Sequence, residues 1–167
     1  MILYAANKAP LYGVLAMDLE SELPRLLPKA VEWAEQQQAH ALENGQPLSE
    51  KMIDVARHVG VMAPESVRIL AVDSLPRPRD PDLSAAADAT GLLGPEMIGL
   101  TLGYAVFIVA GHETTRLVSH ECRHAYQYES NDGISGFLPM YLRQVARHGY
   151  RDAPMEIDAR KYEVHSI

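Results

Sequence analysis

Ser119-His120-Glu121-Cys122-Arg123-His124-Ala125-Tyr126-Gln127-Tyr128-Glu129 is the stretch that decides how this chain is read. Thr114 or Thr115 can cap a helix ahead of it, nothing breaks that helix before about Ser130, and Asn131-Asp132-Gly133 stops it. On a helix, His120 and His124 lie one above the other on one face and can reach a single metal ion together. Glu121 sits about 100° further round, which sets its carboxylate beside such an ion rather than on it. His-Glu-x-x-His on a helix is the signature of zinc hydrolysis. In that chemistry the metal lowers the pKa of a bound water and polarises the scissile carbonyl, while the carboxylate carries the water's proton to the leaving amine. The far face, with Leu117, Val118, Cys122 and Ala125, is apolar and reads as a core face. The plain alternative is a charged surface helix that happens to hold two histidines, and the capped, amphipathic setting weighs against it.

A catalytic zinc takes three protein ligands and keeps one open position. The metzincin extension needs a glycine three residues after His124 and a histidine six after it. Gln127 and Ser130 stand there, so that class is excluded. The downstream candidates are Asp132, His148, Asp152, Glu156 and Asp158. Glu156 is the best placed, in Ala153-Pro154-Met155-Glu156-Ile157-Asp158-Ala159, at the start of a helix that can return beside the histidines. An acid in a first helical turn is also favoured by the helix dipole with no metal at all. Asp158 has the same explanation, or could accept the free ring N–H of a ligand histidine. His148 is the next candidate, since imidazole suits zinc equally well.

Upstream, apolar spacing predicts a helix over 28–43, closed by Asn44-Gly45. A second helix is capped by Ser49, carries Met52, Ile53, Ala56 and Val59 on one face, and ends at Gly60. The two read as an N-terminal helical hairpin. The β-branched run 67–72 reads as a strand, and Pro76, Pro78 and Pro81 forbid its continuation. A short helix over 83–90 precedes two strands, 97–102 and 104–109, that turn near Gly103. Further helices are expected from about Ser135 to Arg147 and from Pro154. The order of helices, a small sheet and then helices indicates one α+β domain over residues 1–167.

With 167 residues and 47% hydrophobic content the chain can fill one core. Fifteen Lys and Arg stand against 22 Asp and Glu, a formal charge of -7, so nucleic acid is not an expected partner. The longest uncharged apolar run, 97–111, is too short to span a membrane. Residues 1–18 lack the apolar h-region of an export signal, and the single cysteine, Cys122, excludes an intrachain disulfide. The expected compartment is the cytoplasm.

The segment from Ser119 to Glu129, followed by Tyr150-Arg151-Asp152-Ala153-Pro154-Met155-Glu156-Ile157-Asp158-Ala159, resembles small bacterial zincin-like proteins of the gluzincin group over about the last fifty residues. The resemblance implies a zincin-like fold and one Zn2+ held by His120, His124 and a glutamate from a later helix, here Glu156. It further implies Glu121 as general base and a peptide or protein as substrate. One departure stands out: where many gluzincins place a histidine-bracing aspartate four residues after the ligand glutamate, this chain has Arg160, so the brace is missing or comes from Asp158. A non-catalytic protein that keeps the scaffold and its zinc to bind a partner is the alternative function, and a coincidental pentad in a structural domain is a third.

The remaining candidates carry less. Cys122 points about 200° away from His120 and reads as a small buried side chain. Arg123 and Gln127 flank the histidine face, exposed to solvent or touching substrate. His148, Tyr150, Tyr141 and Tyr162 could each donate to an oxyanion. His112-Glu113 begins a second motif, but Arg116 replaces its second histidine. His40, His58 and His165 read as isolated and exposed.

Overall fold

The strand β4 (Ala105–Val109) lies at the centre of the molecule because its side chains are apolar on both faces. Phe107 points to one side and Val106 and Ile108 to the other, and all three are buried. The computed structural model describes residues 19–165. The stretch 1–18, read above for an export signal, lies outside them.

Around β4 are β1 (Gln46–Pro47), β2 (Arg68–Val72) and β3 (Gly99–Leu102), in the sheet order β1-β2-β4-β3. β2 runs parallel to β4, with Leu70 opposite Phe107, whereas β1 pairs antiparallel with β2 and β3 antiparallel with β4. Gly103, at φ 62°, makes the β3–β4 turn where the sequence places it. The apolar run 97–111 is thus a hairpin, and no helix among the described residues is long and apolar enough to cross a membrane.

Helices cover both faces of the sheet. Leu70, Leu100, Leu102 and Phe107 pack against α1 (Leu19–Asn44) and α5 (Gly133–His148), with α3 (Pro81–Thr90) alongside α1. Ile69, Val106 and Ile108 pack against α2 (Glu50–His58) and the apolar face of α4 (Thr115–Glu129), where Val118, Cys122 and Ala125 lie. α6 (Pro154–Lys161) closes on α4. The architecture is α+β, with six helices and a four-stranded mixed sheet among the described residues.

Two expectations need correction. α1 and α2 do not form the hairpin: α1 lies with α5 on one face of the sheet and α2 with α4 on the other, and β1 takes the intervening chain to the edge of β2. Helical spacing identified two apolar faces but could not tell that they bury against opposite sides of a sheet. α1 also begins at Leu19 rather than residue 28 and runs through Pro24 and Pro28. Each proline removes a helical hydrogen bond, and the burial of Leu23 and Leu26 outweighs that loss. The other boundaries fall close to the reading, with Ser49 and Thr114 accepting the N-terminal amides of α2 and α4.

Because Phe107 is 1% exposed and joins the sheet to α1 and α5, Phe107→Ala should destabilise the protein by about 3–5 kcal/mol. Urea unfolding checks this as a lower midpoint at unchanged slope.

Candidate metal centre

α4 presents His120 and His124 one turn apart, and α6 brings Glu156 up against them. The chain reverses after α4 through Asp132 and Gly133, both at positive φ, and α5 carries it back. Tyr150 to Ala153 then lead into α6, whose third residue is Glu156. The two Nε2 atoms are 3.2 Å apart. Glu156 Oε2 lies 3.5 Å from His120 Nε2, and Oε1 lies 3.3 Å from His124 Nε2. The three residues are close enough to bind one metal ion. Glu156 is 2% exposed, and its carboxylate engages the histidines and the Tyr141 hydroxyl, which donates at 2.9 Å.

The hydrogen bonds around the histidines leave both Nε2 atoms free to act as ligands. Gln127 donates its amide N–H to Met155 O at 3.0 Å and to Asp158 Oδ2 at 2.9 Å, which turns its carbonyl oxygen toward His124. His124 Nδ1–H donates to that oxygen at 2.8 Å, so the lone pair of the neutral ring sits on Nε2. His120 Nδ1–H donates to Glu163 Oε1 at 3.1 Å, and Arg116 holds the other oxygen of Glu163 at 2.5 Å. These are the partners that orient metal-binding imidazoles.

The charge states follow. Burial pulls the His124 pKa down, but the hydrogen bond and charge of Glu156 outweigh it and carry the value up to about 9. Burial likewise works to raise the Glu156 pKa, and the two histidines hold it well below the usual carboxylate range. Without an ion, the pair shares a proton where a cation would sit.

Glu121 is held from the sheet. The Thr101 hydroxyl on β3 donates to its carboxylate at 2.7 Å. Beside it Gly99 leaves room for the other oxygen, where a Cβ would collide. Leu100 and Leu102 turn to the opposite face, so the alternation of β3 aims Gly99 and Thr101 at α4.

The structure brings His120, Glu121, His124 and Glu156 together and leaves other candidates out. Asp132, His148 and Asp152 are exposed, as are His40, His58, His112 and His165. Asp158 does not brace a histidine directly: it receives Arg123 at 2.7 Å and reaches His124 only through Gln127. Arg123 and Gln127 are not on a solvated face either. Arg123 is buried, donates to Val59 O and stacks on Tyr126 and Tyr162, which takes Tyr162 away from the centre. Cys122 is buried among apolar residues as expected, and burial pushes its thiol up to about 12. Three residues at the site escaped the sequence reading: Glu163, Thr101 and Gly99. Glu163 lies beyond the end of α6, so helical spacing from Glu156 does not point to it. Nothing in the sequence says that Gly99 and Thr101 face α4.

The fold and site define an α+β protein with a buried two-histidine, one-glutamate cluster. Comparison with protein-family models, curated proteins and solved structures finds no match to this chain.

Two outcomes follow for metal binding. Glu163→Gln should weaken it about 10–100-fold, measured by competition with a chromophoric chelator. Because His124 must lose its proton to act as a ligand, affinity should rise with pH up to about 9, and uptake at pH 7 should release close to one proton. Calorimetry in buffers of different ionisation enthalpy measures that release. In the metal-free protein the same raised pKa contributes stability that is complete below the unfolded value of about 6.5 and is lost as pH rises through about 9.

Proposed function

We propose that the protein is a zinc-dependent hydrolase of gluzincin type that cleaves peptide bonds with a metal-activated water. The observation that carries this reading is the convergence, 3.2–3.5 Å apart, of the Glu156 carboxylate of α6 with two Nε2 atoms of α4, the helix that also supplies Glu121. Around a tetrahedral zinc with bonds of about 2.0–2.1 Å, neighbouring ligand atoms lie about 3.3–3.4 Å apart. The donor set is the borderline nitrogen and oxygen mixture that zinc accepts.

A zinc ion held there would supply Lewis acidity, lowering the pKa of a bound water and drawing electron density from the substrate carbonyl. His120, His124 and Glu156 would hold it, and Glu163 and Gln127 keep the two rings in ligating orientation. Glu121, fixed by Thr101, is the base that takes the proton from water and delivers it to the leaving nitrogen. Tyr150 lines the same cavity as Glu121 and Glu156, and burial first, then these carboxylates, raise its pKa, so its hydroxyl stays protonated. That makes it the best-placed of the four candidates to donate to an oxyanion. The Tyr141 hydroxyl already serves Glu156.

Protein prepared without chelator should contain stoichiometric zinc by elemental analysis and should cleave casein or members of a peptide library. Glu121→Gln should keep the zinc and lower turnover by about 10²–10⁴-fold, while Glu156→Ala should lose the metal. Absence of metal would remove the proposal. Full cellular effect in Glu121→Gln would instead favour a partner-binding protein that keeps the site.

A further inference from the structure

A cavity of about 140 Å³ runs from the metal centre into the space between α1, α3 and α5. Its wall on α1 extends from Leu19 through Leu23, Leu26 and Ala30 to Trp33, about 20 Å of helix. Leu83 and Ala87 of α3, Met97, and Phe137 and Leu142 of α5 line the other sides. The lining follows α1, so the cavity is an elongated, partly open apolar channel.

Most of the polar lining residues belong to the metal centre, the others being Thr90, Tyr128 and the Trp33 indole. Thr101, Glu121, His124, Tyr141, Tyr150 and Glu156 surround the inner mouth at the centre. Further along, Thr90 turns its hydroxyl onto the carbonyls of Ala86 and Ala87. The described lining residues include no lysine or arginine, so an anionic group in the channel away from the metal centre would meet no counter-charge from them. A peptide backbone is disfavoured as well, since its N–H and C=O groups would lose water without gaining partners. An occupant made only of carbon and hydrogen avoids both costs. The length of the wall exceeds the reach of one leucine or phenylalanine side chain.

We propose that the preferred substrate is a peptide whose amino group is acylated by an unbranched fatty chain, and that this chain lies in the channel with the carbonyl of the amide to be cut at the metal centre. The bond-cleaving part of this rests on the hydrolase reading, whereas the chain rests on the channel. Hydrolysis of the amide breaks the carbon–nitrogen bond, puts the water's hydroxyl on the carbonyl carbon and its proton on the leaving nitrogen, and needs no reactant besides water.

The test is a binding series on zinc-loaded protein with straight-chain hydroxamic acids from acetyl to dodecanoyl, alongside the matched primary amides, which share the tail but chelate poorly. Affinity should rise about fourfold for each added methylene in both series, well past the length of a leucine side chain. Ala30→Phe and Ala87→Phe, which narrow the channel from opposite walls, should remove the gain for long tails and leave acetohydroxamate affinity and zinc content unchanged. A flat series, or one that levels off at leucine length, overturns the proposal in the unaltered protein, whether or not the variants fold. The hydroxamate–amide difference reports the metal separately. Rising affinity in both series with no such difference would support the channel and count against the zinc reading.

Discussion

Two imidazole nitrogens and a carboxylate facing one another at 3.2–3.5 Å inside the protein form an arrangement that needs positive charge at its centre. Two neutral Nε2 lone pairs repel, and a buried carboxylate without a counter-charge is costly. A proton meets the need in the metal-free chain, which is why Glu156 raises the His124 pKa and the histidines lower that of Glu156. A metal ion would meet it in the same place. The surrounding structure serves to keep this cluster in register.

Much of the polar interior can be read as support for that cluster. Glu163 and Arg116 fix one ring, while Gln127, Asp158 and Arg123 fix the other through a chain of hydrogen bonds that also ties α6 to α4. Arg123 extends the chain to the end of α2 through Val59 O. No side-chain nitrogen or oxygen buried among the described residues lacks a partner, so the network adds rigidity without the penalty of a half-satisfied interior. Glu129, which accepts from the backbone of Met62 and Ala63 and from the Tyr104 hydroxyl, anchors the end of α4 in the same manner.

The sheet contributes in two directions. Through Gly99 and Thr101, β3 offers one face to Glu121, and through Leu100 and Leu102 it offers the other to α1 and α5. Strand alternation thus makes four residues both a clamp for a carboxylate and a wall of the apolar core. The apolar channel ends where these two faces meet the histidine helix.

The sequence by itself determined the local facts. A four-residue spacing puts two histidines on one helical face, Thr114 and the Asn131-Asp132-Gly133 stop bound that helix, and the two apolar runs either side of Gly103 make a hairpin, because each depends on neighbours within a few residues. Glu156 could also be singled out, as an acid opening a later helix, though only as one of several candidates. Tertiary structure decided the rest: that α1 and α2 pack on opposite faces of the sheet, that Glu163 and Gln127 rather than Asp158 hold the rings, and that Gly99 and Thr101 face Glu121. Those outcomes depend on which surfaces meet across the core. Periodicity shows which residues share a face, but the partner of that face is set by burial and hydrogen bonding summed over the whole chain.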